Sequence, residues 1–491
     1  MTTSTTTSQA QRWVLILASA ASLMVALDQL VVATALSTIR RDLHASLATL
    51  EWTVNAYSLS FAVLLITGAA LGDRLGRRRV LISGLVLFAL ASAACALAPS
   101  AGWLIAARTV QGAGSALVMP TAMALLTAAY PPEKRGAALG IFSALTGLAV
   151  VGGPVLGGAI TEGLEWRWIF WINVPLAAVV IPVVTAKVNE NYGNRHASVD
   201  LTGIALAGTA MLGLVWGLSR ANTVGWASAE IIGTLTAGAL LTASFVAWEL
   251  RTNDPMLPMR FFRLGAFSAG NASALLLYGS LYSSVFFVSQ WLQVSLGYSP
   301  LAAGLRFMPW AIGVLVIAPI AGRLTDRIGA RRLVVAGLTL QGLGLAWISL
   351  NASDHRHYSA SVVALIVSGC GTSMAMPAVQ NAVMNSVPLT ALGKAAGTFN
   401  TLRQLGGAFG VATMAAVFAA HGSYASARAF SDGFTPAIAG SAAFAIAGAV
   451  IGLATPGRRP AAAPQPQPRP ESPEPEIPQP ETEDVAVAGV S

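Results

Sequence analysis

The sequence predicts an all-α integral membrane protein with fourteen transmembrane helices, arranged as two six-helix halves plus two inserted helices. Of its 491 residues, 55% are hydrophobic and only 10% are charged, whereas a soluble protein carries about 25% charged residues. A short polar stretch also occurs twice, at Leu71–Arg79 and Arg323–Arg332, each time between two long apolar runs. The composition predicts the membrane class, and the repeated stretch predicts two related halves.

Fourteen apolar runs define the predicted helices. Runs of about 20 residues cross a hydrocarbon core of about 30 Å, and they must be helical because lipid offers no partner for backbone groups. The runs lie at residues 13–36, 50–71, 80–98, 101–125, 136–160, 168–188, 201–219, 230–249, 266–292, 301–321, 332–350, 359–384, 394–419 and 434–454.

The runs divide the chain into five segments. Residues 13–188 form the N-terminal six-helix half, residues 266–455 form the C-terminal half, and residues 189–265 contain the two inserted helices. Residues 1–12 form a short N-terminal tail. Residues 456–491 are rich in proline and acidic towards the end, a composition that predicts a disordered tail.

The distribution of basic residues predicts the orientation. With the N-terminus in the cytoplasm, 20 of the 29 lysines and arginines lie on the cytoplasmic side and six lie outside. Because cytoplasmic loops carry the excess of basic residues, we expect both termini in the cytoplasm of a cell. The composition, rich in alanine and glycine and poor in lysine, indicates a bacterial source, so the predicted location is the plasma membrane.

Six short motifs occur in a characteristic order and spacing. Three resemble the signature loop, the fourth-helix motif and the fifth-helix antiporter motif of the major facilitator superfamily, and they lie at Leu71–Arg78, Arg108–Gly114 and Gly152–Gly158. Three more are similar to stretches typical of its fourteen-helix drug:proton antiporters, at Leu27-Asp28, Trp166–Pro175 and Arg403–Gly407. The resemblance covers about residues 13–455 and implies the major facilitator fold.

Two of the motifs depart from the family pattern. The signature loop has Ala69 where the family usually has glycine, and the first helix has Leu30, Ala33 and Ser37 where threonine, asparagine and proline are usual. These departures weaken any transfer of substrate preference and hardly affect the fold.

Asp28 is the candidate carrier of a proton. An ionisable residue within a membrane helix is functional by default because burying its charge is costly. Asp28 lies about 22 Å along the first helix, and Arg108 lies about 10 Å into the fourth helix from the other side, so their depths nearly match. We expect Arg108 to bias the release of a proton from Asp28; the alternative is a permanent structural ion pair.

The signature loop is the candidate gate. Its predicted residues in the first copy are Asp73, Arg74, Gly76, Arg77 and Arg78, with Asp73 expected near the start of the third helix, where the helix dipole favours a negative charge. The resemblance implies a charge-linked latch on the cytoplasmic side, and the alternative is control of topology alone.

The second copy of the loop differs from the first in one respect. It keeps Asp326 and Arg327 but has Ala330 in place of the arginine at position 77. We therefore expect the first copy to be the working latch and the second to be a partly decayed counterpart.

Two further groups are candidate site residues. The resemblance implies that Gly153, Pro154, Gly157 and Gly158 seal the cavity against leakage; ordinary close packing of small residues is the alternative. Polar side chains within the apolar runs form a candidate cavity group, for which structural hydrogen bonding is the alternative: Gln111, Asn400, Arg403 and Gln404.

The sequence predicts a transporter and not an enzyme. It has no phosphate-binding loop of the Walker type, so ATP is not the expected energy source, and we predict no catalytic residue, metal site or cofactor. The resemblance implies export of a small hydrophobic or amphipathic drug by a monomer in the bilayer, in exchange for protons and without a nucleic-acid partner. The alternatives are export of one self-made antibiotic or metabolite, and a non-transporting receptor or scaffold on the same fold.

Overall fold

The structure is a computed structural model that describes residues 2–44, 47–193, 200–252, 255, 257–353 and 358–456. These residues form sixteen α-helices and two short 3-10 turns, and no strand occurs among them. The helices are α1 (Thr2–Asp42), α2 (Leu47–Leu75), α3 (Arg77–Ala96), α4 (Ala101–Ala129), α5 (Pro132–Gly163), α6 (Trp168–Trp171), α7 (Asn173–Lys187), α8 (Leu201–Val224), α9 (Ala229–Glu249), α10 (Gly265–Val294), α11 (Pro300–Arg306), α12 (Met308–Ile328), α13 (Ala330–Ser353), α14 (Tyr358–Met384), α15 (Leu392–His421) and α16 (Ala427–Gly452).

The predicted all-helical membrane fold is confirmed. Thirteen segments of the described chain are helical, long and apolar enough to cross a membrane. The remaining predicted span, 136–160, lies within α5, so a count of fourteen is consistent with the structure. Two predicted spans are each formed by a pair of helices: α6 and α7 meet at Ile172, and α11 and α12 meet at Phe307. Of the predicted tail, residues 457–491 lie outside the described residues.

The helices pack as two bundles with an inserted pair. In the N-terminal half α4 packs on α2 and α3, and α1 packs on α5; in the C-terminal half α13 packs on α14 and α16, and α10 packs on α15 and α16. The halves meet mainly along two helix pairs, α5 with α12 and α2 with α15, and further contacts join α5 to α11 and α14 and α4 to α15. The pair α8 and α9 pack on each other, and α8 also contacts α2 and α15.

The inserted helix α8 touches each half through a different kind of contact. Towards α2, the ring of Trp216 lies 4.8 Å from the ring of Trp52, centroid to centroid. Towards α15, Nδ2 of Asn222 donates a hydrogen bond of 3.1 Å to the carbonyl oxygen of Ala412. The insert is therefore attached to both halves rather than to one.

Glycines allow the close crossing of α5 and α12 between the halves. A Cβ atom added to Gly322 would collide with the carbonyl oxygen of Gly136 and would lie 2.8 Å from the Cα atom of Gly140. Helices in lipid associate largely through such close backbone packing, because lipid tails are as apolar as the side chains. The crossing therefore depends on the missing side chains.

The two copies of the polar stretch share a backbone turn. Gly76 ends the turn from α2 to α3 with φ of 111°, and Gly329 ends the turn from α12 to α13 with φ of 88°. Both angles lie in the left-handed region, which glycine adopts without the steric cost of a Cβ atom. The repeat read from the sequence is thus a repeat of local structure as well.

We predict that Gly322→Ala destabilises the protein. The new methyl group overpacks the α5–α12 crossing, which costs about 1–3 kcal/mol, so the melting temperature of the purified protein should fall. Gly233→Ala is the matched control because nothing lies within 4 Å of its added Cβ atom. An equal melting temperature for the two variants would contradict the close crossing.

Candidate functional site

Asp28 and Arg108 form a fully buried ion pair, which we call the Asp28 site together with the side chains bound to it. Nη1 of Arg108, on α4, lies 2.5 Å from Oδ2 of Asp28, on α1. The side chains are both inaccessible to solvent. The matched depths predicted this approach, and the contact itself is confirmed, whereas its role in proton coupling stays a prediction.

The second carboxylate oxygen of Asp28 is held by two amides. Nε2 of Gln111 and Nδ2 of Asn173 each donate a hydrogen bond of 2.9 Å to Oδ1. Both amides also contact the Ser92 hydroxyl on α3, at 3.2 and 3.0 Å. Every one of these partners donates to the carboxylate. The donors come from α4 and α7, and the acceptor comes from α1.

Arg108 is held on its other sides as well. Its Nε donates to the carbonyl oxygen of Thr53 at 3.2 Å, and its Nη1 donates to Oε1 of Gln111 at 2.7 Å. The guanidinium carbon lies 4.1 Å from the ring centre of Tyr57, a cation–π contact. Among the described atoms Nη2 has no hydrogen-bond partner. The pair is thus enclosed by side chains from α2, α3, α4 and α7.

The first signature loop connects the halves on one membrane face, the face where α1 begins, which we call the N-terminal face. Nε of Arg77 donates a hydrogen bond of 2.9 Å to Oδ1 of Asp73, and Nη2 of Arg77 donates to the carbonyl oxygen of Leu389 in the other half, at 3.2 Å. The Asp73 carboxylate itself lies against the first turn of α15, at Gly393 and the backbone of Lys394.

The expected place of Asp73 at the start of the third helix is wrong. Asp73 lies in the last turn of α2, and the helix N-terminus that it faces is that of α15 in the other half. Glu190 occupies the start of α3 instead, where its carboxylate accepts hydrogen bonds from the backbone N–H groups of Arg78 and Arg79, at 2.8 and 3.2 Å. A helix N-terminus does face the Asp73 carboxylate, but it is that of α15 and not that of α3.

The second signature loop forms the matching contact. Oδ1 of Asp326 accepts a hydrogen bond of 2.8 Å from the backbone N–H of Gly136, and Oδ2 accepts one of 2.9 Å from that of Ala137. Both donors lie in the second turn of α5, which begins at Pro132, in the other half. Arg135 adds a bond of 2.7 Å from Nη1 to Oδ1 of Asn385.

The expectation that the second copy is a decayed counterpart is therefore wrong for its contacts. Ala330 removes an arginine partner, but backbone N–H groups near the start of α5 donate to the carboxylate instead. The two copies are reciprocal, since each aspartate contacts a helix of the opposite half close to the N-terminus of that helix. Arg74 and Arg327 take no part in these contacts, because both side chains are exposed.

The glycine-rich stretch of α5 lies against α1 close to Asp28. A Cβ atom on Gly153 would lie 2.7 Å from Cβ of Leu30, so the two helices pack at backbone distance there. The helix continues through Pro154 and Gly158, and Gly157 is buried. Close packing is thus observed, and sealing against leakage stays a prediction.

The candidate cavity residues divide into two groups. Gln111 belongs to the Asp28 site, as its bond to Oδ1 shows. Asn400 and Arg403 are buried in α15, where Nδ2 of Asn400 donates to the carbonyl oxygen of Ala396 at 2.9 Å, and Gln404 is half-buried. The structure does not bring this second group into contact with Asp28.

The tryptophan-rich stretch Trp166–Pro175 begins at the opposite membrane face, where α1 ends. Nε1 of Trp166 and Nη1 of Arg167 donate to Oδ2 of Asp42, at 2.9 and 2.8 Å. The hydrogen bond from Trp166, followed by the contribution of Arg167, lowers the pKa of Asp42 below its ordinary value. The contacts tie the end of α1 to the loop that leads into α6 and α7, and so help to place Asn173.

Comparison with protein families covers nearly the whole chain. The family model described as Major Facilitator Superfamily matches residues 18–281 and 271–487. The chain belongs to this superfamily. The structure of the superfamily's proton:xylose symporter XylE has the same fold, with a TM-score of 0.65 at 15% identity, over 90% of this chain and 95% of that one.

Curated relatives in the superfamily carry names of resistance and export. The chain is 35% identical to the multidrug resistance protein Stp of Mycobacterium tuberculosis, over 81% of this chain and 74% of that protein. It is 35% identical to the tetracenomycin C resistance and export protein of Streptomyces glaucescens, over 83% and 76%. It is 36% identical to the cephamycin export protein CmcT of Amycolatopsis lactamdurans, over 89% and 91%.

Three residues of these contacts were not predicted from the sequence. Asn173 and Tyr57 contact the ion pair of the Asp28 site, and Glu190 accepts hydrogen bonds at the start of α3. Asn173 lies within the stretch Trp166–Pro175, so a polar residue following the tryptophans was the available signal. Tyr57 and Glu190 gave no such signal, because their partners lie 51 and 112 positions away (Arg108 and Arg78).

We predict that Asn173→Leu destabilises the folded protein. The variant removes one of the donors to a buried, charged carboxylate, and such hydrogen bonds contribute about 1.5–3 kcal/mol. The melting temperature should fall at neutral pH. Asn55→Leu is the matched control, since Asn55 is half-buried and its side chain makes no hydrogen bond within the described structure. An Asn173 variant as stable as this control would contradict the donor role.

We predict that Asp326→Ala and Asp73→Ala lower the melting temperature to a similar extent. Removal of Asp326 eliminates two hydrogen bonds from backbone N–H groups of α5 to a carboxylate, and hydrogen bonds to charged groups contribute about 1.5–3 kcal/mol. Asp432→Ala removes an exposed carboxylate of α16 and should leave the melting temperature unchanged. If the second loop were a decayed copy, Asp326→Ala would behave like Asp432→Ala.

Proposed function

We propose that the chain is a proton-driven transporter that exports hydrophobic or amphipathic antibiotics and drugs by alternating access. The observation that carries the proposal is the Asp28 site, a carboxylate buried inside a membrane protein whose relatives are named for resistance and export. A scaffold has little need of such a charge, because burying it is costly.

The geometry of the Asp28 site supports proton exchange. Asp28, Arg108 and Asn173 lie on three different helices, α1, α4 and α7. A shift of α1 against α4 and α7 would withdraw donors from the carboxylate, and an uncompensated buried carboxylate binds a proton rather than remain charged. Return of the helices would expel that proton, so helix movement and proton binding are linked.

The reciprocal aspartate contacts support a gate on the N-terminal face. They join α2 to α15 and α12 to α5, and these are the helices along which the halves meet. Opening of that face requires both contacts to break. The exposed arginines nearby, Arg74, Arg79, Arg323 and Arg327, support a cytoplasmic assignment of this face, with both termini on the inner side of a bacterial plasma membrane.

Two features bear on assembly and substrate breadth. Both halves lie in one chain, as a transport path between two repeats requires, which supports a monomer as the working unit.

The names of the relatives include one multidrug resistance protein and exporters of single antibiotics, tetracenomycin C and cephamycin. Export of one antibiotic is therefore the second candidate function.

The test of transport is a resistance panel in an efflux-deficient bacterial host. We expect the wild type to raise resistance to one or more of tetracenomycin C, cephamycin, puromycin and lincomycin, the compounds in the names of the relatives. Asp28→Asn should abolish that resistance at equal membrane abundance, because an amide cannot carry the proton. Asp432→Asn, at an exposed carboxylate, should retain it.

The test of coupling uses energised inverted vesicles. Addition of a compound from the resistance panel should cause proton movement in wild-type vesicles and none in Asp28→Asn vesicles. Resistance that survives Asp28→Asn in full, or export without proton movement, would refute the coupling. Resistance to one compound only would select the dedicated exporter over the multidrug one.

A further inference from the structure

Arg403 is a second buried charge, separate from the Asp28 site. It lies on α15 about 17 Å from the first residue of that helix, near the middle of the membrane. Its side chain is 92% buried, since its residual exposure is 8%. Its Nε is inaccessible to solvent and has no hydrogen-bond partner among the described residues.

Arg403 has no acidic partner in the described part of the chain. Six ion pairs form there, and none includes Arg403. Asp28, the carboxylate that lies deep in a membrane helix, is already neutralised by Arg108. A buried charge in a membrane protein is costly and normally pairs with another group or faces a substrate path, so the missing partner requires an explanation.

The groups around Arg403 are aromatic. Its guanidinium carbon lies 5.3 Å from the ring centre of Tyr278 on α10. The rings of Tyr278 and Tyr282 stack at 6.1 Å, and Phe399 closes the shell edge-on to Tyr278 at 6.2 Å. Gly407 makes room for the Tyr282 ring, because its added Cβ atom would lie 2.6 Å from that ring.

Arg403 lies on a helix at the contact between the halves. Asn400, three residues before Arg403 on α15, contacts the sulfur of Met123 on α4 at 3.8 Å, and α15 also packs against α2. Arg403 therefore lies on the helix of the C-terminal half that meets α2 and α4 of the N-terminal half.

We propose that Arg403, with Tyr278 and Tyr282, recognises an anionic group on an otherwise aromatic or apolar substrate. A planar guanidinium binds carboxylate, sulfonate or similar oxyanions through two parallel N–H donors. The phenol rings offer stacking surface to an aromatic substrate body. The inference rests on the proposed export function and deepens it by naming the substrate class.

The experiment compares two matched dyes on the full-length protein in lipid nanodiscs. The anionic dye is 1-anilinonaphthalene-8-sulfonate, and the neutral dye is N-phenyl-1-naphthylamine, which has the same ring system without the sulfonate. Equilibrium dialysis measures binding of each dye, and empty nanodiscs supply the correction for partition into lipid. The variants are Arg403→Gln, Arg403→Lys and the control Arg306→Gln.

Arg306 is a close match because it also lies over two tyrosine rings, 3.7 Å from the ring centre of Tyr298 and 5.7 Å from that of Tyr358, but on α11. We expect the wild type and Arg306→Gln to bind the sulfonate roughly tenfold or more tighter than the neutral dye, the effect of one charge-assisted hydrogen bond. In Arg403→Gln the ratio of the affinity for the sulfonate to the affinity for the neutral dye should approach one. Arg403→Lys should keep part of the preference, because lysine retains the positive charge but lacks the two parallel N–H donors of the guanidinium.

Three results would overturn the proposal. The first is a wild type without any preference for the sulfonate, a result that needs no variant and so does not depend on whether the variants fold. The second is an Arg403→Gln variant that keeps the wild-type ratio of the two affinities. The third is an equal loss of affinity for both dyes in Arg403→Gln, which would make Arg403 a structural residue only.

The outcome is independent of proton coupling. Binding in nanodiscs needs no gradient, so Asp28→Asn should keep the preference for the sulfonate even where it abolishes resistance. A preserved preference in a protein that confers no resistance would refute export alone. Resistance that depends on Asp28, without any preference for the sulfonate, would refute the anion site alone.

Discussion

The buried ion pair of Asp28 and Arg108 is the interaction on which the N-terminal half is arranged. Removing either partner would leave a lone charge without water, which costs several kcal/mol. The surrounding polar groups are directed at the pair: two amides from α4 and α7 and a backbone carbonyl of α2 bond to it, and the Ser92 hydroxyl of α3 accepts hydrogen bonds from both amides. The close packing of α5 on α1 at Gly153 borders the same region. One charge thus determines where several helices can lie.

The contact between the halves also depends on carboxylates. On the N-terminal face, Asp326 accepts hydrogen bonds from Gly136 and Ala137 near the start of α5, and Asp73 faces the first turn of α15. Each half therefore supplies an acidic side chain to a helix of the other half. The duplication read in the sequence thus has a physical counterpart, one carboxylate contact from each half.

Much of the fold could be predicted, because apolar runs and basic loops act through local chemistry. The approach of Asp28 to Arg108 could also be predicted, since depth follows from position along a helix. The partners of Asp73 and Asp326 could not, because they lie across the interface on Lys394 and Gly136, and no local pattern marks a helix end that lacks its own cap. Ala330 was misleading for the same reason. The absence of an arginine at this position suggests a decayed copy of the loop, whereas backbone N–H groups of α5 donate to Asp326 instead.

The inserted helix α8 has a mechanical consequence for any rocking of the halves. It contacts α2 through the rings of Trp52 and Trp216, whose planes are tilted by 48°, and α15 through the Asn222 hydrogen bond. A hydrogen bond weakens steeply once its angle is lost. If α2 and α15 move apart, α8 must therefore give up at least one of these contacts. The inserted pair thus links the two halves laterally and opposes their separation on that side.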